Sequence, residues 1–299
     1  MRLQMLKQKR MMNSSVQAWI LLAPTLLFIS VFTIFPIIRS FALSFTAYEL
    51  GMKRPLFIGA GNYSYFLTSG LFWKIMKNTL FFSVLTVVPS YAIGLSFAML
   101  VNNNRKGIGI LRTSYFYPVV MPLIAIASIW MFMYMPETGM FDQILMNHGK
   151  RPLAALSDKN TVLPAMAMMY VWREAGYLMI FFLSGLQNLD RELFEAARID
   201  GSTFLDTFRR ITLPLLAPTT LFVTIMAITD SIKLIDHIVI MTEGAPNNAS
   251  TLLLYYIYQQ GFIFFDQAKA STLTVFMLFI MLIVSMGKFI SSDRKIYYN

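Results

Sequence analysis

Arg173 and Glu174 interrupt an apolar stretch at 161–189, and Asp230, Lys233, Asp236 and His237 end another that begins at 211. Ionisable groups are costly inside apolar surroundings, so they are the first candidates for function. If 215–240 is one helix, Asp230/Lys233 and Lys233/Asp236 are each three residues apart and meet on one face. Two readings stand side by side: a charge cluster that satisfies itself at the outer surface, or side chains that hydrogen-bond a polar solute or close an external gate. Arg173 and Glu174 are adjacent, so they point about 100° apart on a helix and each is expected to seek a different neighbour or water. Trp172, Tyr177, Trp130 and Tyr134 offer apolar ring faces that suit stacking on sugars, and suit ordinary bundle packing better still. Lys233, Arg173 and Lys269 together would suit an anionic sugar, but the interleaved acids weaken that reading.

Other chemistries are poorly served. The chain has no cysteine, which excludes disulfides, thiolate metal sites and cysteine nucleophiles. His148 and His237 are its only histidines, the first in a loop and the second at a helix end, so neither a metal site nor a histidine-based catalytic constellation is expected. No GxxxxGK[ST] sequence occurs to cradle a nucleotide phosphate.

The segment 187–218, QNLDRELFEAARIDGSTFLDTFRRITLPLLAP, is too polar to cross a membrane and too patterned for a passive linker. Asp190 is a suitable N-cap for a short helix containing Glu195, Ala196 and Ala197. Gly201 ends that helix by taking positive φ freely. Ser202 is the expected cap of a second helix, on which Phe204, Leu205, Phe208 and Ile211 share a face. Pro214 stands at the entry to the next apolar stretch. A helix with two alanines and flanking charges fits a groove on another protein, and periodicity alone suits a helix lying on the membrane surface equally well.

The elements that must position these residues are apolar helices. The chain is 57% hydrophobic and only 13% charged, well short of the charge a soluble surface needs. Stretches 16–38, 80–101, 113–135, 211–229 and 270–287 contain no Asp, Glu, Lys or Arg, and 161–189 contains only Arg173 and Glu174. A bilayer span takes about 20 apolar residues, so the expectation is an all-α, polytopic membrane protein of about six helices. They are placed near 17–41, 79–101, 112–134, 162–186, 215–240 and 270–291. The first apolar run is too long for a signal-peptide core and is expected to stay as a helix. Segments 1–16, 102–112, 190–210 and 288–299 carry 14 Lys and Arg against 9 on the longer opposite loops, which puts both termini in the cytoplasm. The same rule gives the net charge of +10 a membrane explanation in place of nucleic acid. The domains are then a cytoplasmic segment 1–16, a transmembrane domain 17–291 enclosing the loop 187–214, and a cytoplasmic tail 292–299.

Glu195-Ala196-Ala197-Arg198-Ile199-Asp200-Gly201, followed by Ile211-Thr212-Leu213-Pro214 and Pro218, resembles the EAA motif of bacterial binding-protein-dependent importers. Ala23-Pro24, Phe35-Pro36, Gly61-Asn62-Tyr63, Leu183-Ser184-Gly185-Leu186-Gln187 and Thr242-Glu243-Gly244-Ala245-Pro246 extend the likeness to the MalF/UgpA-like sugar permeases, a subfamily that also has an aspartate at the place of Asp236. Ser202, Ala245 and Asp266-Gln267 depart from its usual residues. The resemblance implies a type I ABC importer permease fold in the bacterial cytoplasmic membrane. It implies that Glu195, Ala196, Ala197, Asp200, Gly201, Phe208 and Pro214 couple to an ATPase. The intramembrane charges and ring faces make Trp172, Arg173, Glu174, Tyr177, Asp230, Lys233 and Asp236 the candidates for the substrate path; Asp236 matches the subfamily, and Lys233 is not typical of it. ATP and Mg would sit on two separate ATPase subunits and none on this chain, with a second permease and an external solute-binding protein as further partners. Alternatives are a permease for another solute, such as glycerol phosphate, and a carrier driven by an ion gradient.

Overall fold

The computed structural model describes residues 2–103 and 106–293, with side chains described for 16–103 and 106–290. The tail beyond 293, Arg105 and the basic side chains of 1–15 lie outside these.

α1 (Arg2–Ile29) runs through a π-helical turn at Ser30–Ile34 into α2 (Phe35–Leu43). Pro36 lacks an N–H and its ring crowds the carbonyl four residues back, and the wider π turn absorbs that misfit without a break. A short antiparallel pair, β1 (Thr46–Ala47) and β2 (Leu56–Phe57), leads to α3 (Gly61–Thr68) and the long α4 (Gly70–Val101). α5 (Ile108–Val120) and α6 (Leu123–Met133) meet at 96° across Met121 and Pro122. After α7 (Met140–Asn147) comes α8 (Val162–Gln187), and then the polar loop with α9 (Arg191–Ile199), α10 (Phe204–Thr207) and a π turn at Phe208–Thr212. α11 (Leu213–Leu215) precedes α12 (Ala217–Ile232), and the two arms of this pass differ by 72°. α13 (Asp236–Met241), α14 (Leu253–Tyr258) and α15 (Gln267–Asp293) complete the described chain.

Side-chain contacts fix the directions. Phe82 lies by Tyr170 and Gly94 by Leu178, so α4 and α8 run the same way. Ser83 meets Ser231 and Tyr91 meets Thr220, so α12 runs against them. Thr272, near the start of α15, donates to the carbonyl of Ser44 at the end of α2, so those two are also opposed. The result is six alternating passes. Three straight helices, Val16–Leu43, Gly70–Val101 and Gln267–Ile290, and the two bent pairs are apolar enough and long enough to span a bilayer. α8 is the sixth pass: its 26 residues reach about 39 Å, but Arg173 and Glu174 dilute its apolar character.

Three expectations need correction. The second span begins at Gly70, not 79, because Ser69 caps it by accepting from the amide of Phe72. The third and fifth spans are not straight. Pro122 cannot continue α5, and the fifth breaks again at Lys233–Ile235 between α12 and α13. Pro214 and Asp230 therefore do not lie along one straight axis, since the path between them crosses the 72° bend.

α8 is the centre of the bundle because small residues let backbones close on it. A Cβ at Gly176 would collide with the carbonyl oxygen of Tyr115 on α5, and one at Gly94 on α4 would come to 3.0 Å from the carbonyl of Ala175. Membrane helices associate through such close packing rather than through expulsion of water. By contrast, none of the Val16–Leu43 span is buried within the chain.

Candidate functional site

Two places gather the candidate residues. The first lies between α8 and α12. Tyr170, Arg173, Glu174 and Tyr177 on α8 face Asp230 near the end of α12, close enough that Asp230 feels the charges of Arg173 and Lys233. Arg173 and Glu174 do turn toward each other despite being adjacent, but Nη1 and Oε2 stay 3.9 Å apart, beyond hydrogen-bond reach. Arg173 Nε and Glu174 Oε1 have no protein hydrogen-bond partner. The expected face Asp230–Lys233–Asp236 does not form. Lys233 caps α12, Asp236 opens α13, and no ion pair joins Lys233 to either acid among the described residues. The break at Lys233–Ile235 separates Lys233 from Asp236, while Lys233 still follows Asp230 by one turn, its amide donating to the Asp230 carbonyl at 3.2 Å.

Trp172 points away from this group toward Trp130, with ring centroids 5.9 Å apart. Trp130 and Tyr134 are buried against Phe141, and the Tyr134 hydroxyl donates to the carbonyl of Ala165 at 2.9 Å. These two rings pack the bundle. Lys269 is not drawn to Arg173 and Lys233: it pairs with Asp266 at 2.7 Å and lies over the ring of Tyr65.

Hydroxyls overlooked in the sequence, and the histidine already singled out there, complete the polar interior. Thr79, Ser83, Thr86 and Ser90 are all buried along one face of α4, at spacings of three and four that were visible in the sequence. Ser231 donates to Ser83 at 2.9 Å, joining α12 to that face. His237 is fully buried between Phe82 and Tyr170, with ring centroids at 5.5 and 6.5 Å, and neither ring nitrogen has a protein partner.

The second place is the loop after α8. Asp190 caps α9 by accepting from the amide of Glu192 at 3.0 Å. At the other end Gly201 has φ +74°, the amide of Ser202 donates to Ala197 O and that of Gly201 to Arg198 O, which is the Schellman arrangement. Thr203, rather than Ser202, caps α10: its hydroxyl accepts from the amide of Asp206 and donates to that carboxylate at 2.5 Å. The one residue between Gly201 and this cap turns the chain before the second helix begins. The π turn at Phe208–Thr212 then accommodates Pro214 as the one near Pro36 does. Of the predicted coupling residues, Glu195, Ala196, Asp200 and Gly201 are exposed and Ala197 is buried. Ile199 is 86% and Phe204 76% exposed, large apolar groups on an otherwise polar loop.

The family described as "Binding-protein-dependent transport system inner membrane component" matches residues 79–294. The lactose transport system permease protein LacF of Rhizobium radiobacter is 32% identical over 287 residues, covering 94% of this chain and 95% of the relative. The trehalose/maltose transport system permease protein MalF of Thermococcus litoralis is 32% identical over 246 residues, covering 81% and 83%. A chain of a bacterial alginate ABC transporter, crystallised with an alginate pentasaccharide-bound periplasmic protein, superposes with a TM-score of 0.84 at 21% identity, covering 95% and 96%.

Proposed function

Since the chain belongs to the family of binding-protein-dependent transport inner membrane components, as a MalF/UgpA-like sugar permease of the type I fold, we propose that it forms half of the path of an ATP-driven carbohydrate importer. It sits in the bacterial cytoplasmic membrane with both termini and the loop 187–214 in the cytoplasm. Its partners are a second, different permease chain, two ATPase subunits that bind ATP and Mg, and an external solute-binding protein. ATP-driven closure of the ATPase pair presses on α9. The α8 and α12 passes to which α9 is tied then switch the polar interior between inward- and outward-facing states.

The observation that carries this reading is the build of α9. A helix closed at both ends by its own hydrogen bonds still exposes Ile199 beside Glu195 and Ala196. A rigid, partly apolar plug between two membrane passes suits docking in a groove of another protein. Between α8 and the end of α12, the cations Arg173 and exposed Lys233 balance Glu174 and Asp230. With the hydroxyls of Thr79, Ser83 and Ser231, this suits an uncharged saccharide, and the lactose and trehalose/maltose names of the relatives support the same class.

Gly201→Pro would demand negative φ where the turn needs +74° and would remove the amide that closes the Schellman turn. In proteoliposomes holding the full assembly, ATP-dependent sugar uptake should fall by at least about tenfold with membrane insertion intact. Glu195→Arg, on an exposed position, should weaken retention of the ATPase without harming the fold. Wild-type uptake and ATPase binding in both variants would sink the assignment, as would transport by the purified chain alone on an ion gradient.

A further inference from the structure

We propose that His237 and Glu174 are the two halves of a latch, whose hydrogen bond forms in the state that alternates with this one and which the Tyr170 ring separates here. In this structure His237 makes only the contacts that a phenylalanine would make. It is fully buried, its ring lies over Phe82 at an interplanar angle of 24° and over Tyr170 at 29°, and neither nitrogen has a protein partner. An imidazole carries an N–H donor in either tautomer, and leaving a buried donor unmatched is costly. A benzyl ring would fill the same space without that cost. The nitrogens therefore find their use in a conformation other than this one. The latch rests on the alternating access put forward above, which supplies the second state.

The other unmatched atoms identify the partner. Among the described residues, the remaining buried side-chain atoms without one are Ser90 Oγ, Arg112 Nε, Arg173 Nε and Glu174 Oε1. The two arginine nitrogens are donors and cannot accept from an imidazole N–H. Ser90 lies two turns of α4 beyond Phe82, about 12 Å along the helix. Glu174 Oε1 is an acceptor. Glu174 follows Tyr170 by one turn of α8, with its carboxylate beside the Tyr170 hydroxyl. The unmatched donor and the unmatched acceptor thus flank one ring. The helix that carries the donor is jointed at both ends: α13 has six residues, and the backbone leaves the helical range at Ile235 (φ −133°, ψ −41°) and at Thr242 (φ −142°, ψ −22°). It packs on α6 and is not continuous with α12. A shift of one helical turn along α8, about 5 Å, carries the imidazole from the Tyr170 ring to Glu174, and one-turn steps between packed elements are a known mode of switching.

His237→Phe keeps the ring stack and removes both nitrogens. The thermal midpoint of the purified full chain should stay at or above the wild-type value. ATP-dependent sugar uptake by the full assembly in proteoliposomes should fall roughly tenfold, the worth of a hydrogen bond to a charged group, with the ATPase still retained. Glu174→Met removes the acceptor and should lower uptake as well. The two changes together should cost no more uptake than the worse of them alone, as the members of one bond do. A lowered midpoint in His237→Phe would show that the imidazole is hydrogen-bonded in this state, through protein or water. Wild-type uptake in that variant would show that the nitrogens are idle throughout the cycle, and losses that multiply in the double variant would show separate partners. Each of these three results overturns the latch. If the wild-type assembly took up no sugar on ATP, the transport reading would fall by itself. The midpoint of His237→Phe would then still count for the latch if held or raised, and against it if lowered.

Discussion

Around Glu174 and His237, buried polar atoms lack hydrogen-bond partners; past the end of α8, at Ile199 and Phe204, apolar side chains lack cover. The two regions fail opposite rules of protein interiors and surfaces. Unpaired buried polar groups cost free energy and are tolerated where an interior must deal with water or polar solute. Exposed large apolar groups on a polar loop cost little alone and are retained where another protein covers them. Under the proposed function, the contrast separates what is carried from what drives the carrying. It also predicts that substitutions in one region spare the quantity measured in the other.

The largest expected effect is at the packing that holds the polar interior together. Gly176→Val puts a branched side chain against the Tyr115 carbonyl, a backbone atom that cannot give way cheaply. Overpacking of this kind costs on the order of 3 kcal/mol. The yield of monodisperse protein in detergent should collapse, with the thermal midpoint of any remainder lowered. A variant of normal yield and midpoint would show that α5 and α8 are less closely apposed than described.

Next comes the loop. Ile199→Asp removes an exposed apolar contact without touching the bundle. ATP-dependent uptake and retention of the ATPase should each fall by roughly tenfold, while the thermal midpoint stays at the wild-type value. A lowered midpoint with uptake intact would reverse the contrast between the regions.

A smaller effect separates pairing from mere proximity inside the bundle. At 3.9 Å the Arg173–Glu174 contact is loose, and the two groups also sense Asp230. A double-mutant cycle with Arg173→Met and Glu174→Gln, read on thermal stability, should give a coupling of at least about 0.5 kcal/mol. Each single change should also cost more than half of the double, because it leaves an unmatched charge. Strict additivity would mean that the two residues act on separate neighbours, as their adjacency in the sequence suggests.

The sequence was most readable where a local rule decides. Gly201 as a helix stop, Asp190 as a cap and six apolar stretches each follow from a few neighbouring residues, and each appears in the fold. The interior was readable only in part. Tyr170 looks like an ordinary apolar-helix residue and His237 stands out only as an ionisable group at a helix end; that α4 and α13 bring Phe82 and His237 beside Tyr170 is announced by no spacing within one helix. The break at Lys233–Ile235 was hidden for a related reason: the residues are acceptable in a helix, and the chain's turn there comes from packing against α4 and α6. The Ser/Thr stripe on α4 was a further interior signal in plain view, and it was masked by the apolar average around it.

The finest test concerns the cap that the sequence misplaced by one residue. Ser202 and Thr203 are both good N-cap types, and only the course of the chain after Gly201 decides between them. The Ser202 amide is taken up in closing α9, which leaves Thr203 in extended geometry, φ −73° and ψ 162°, to cap α10. Thr203→Ala should destabilise this short helix by about 1 kcal/mol, which at this scale means roughly fivefold faster hydrogen exchange at 205–208. Ser202→Ala should leave exchange there unchanged, because its hydroxyl makes no hydrogen bond within the loop. Neither change alters an apolar contact, so both variants should still retain the ATPase. If Thr203→Ala loosened α10 and also released the ATPase, the order of the second helix, and not only the exposed face of α9, would belong to the docking surface.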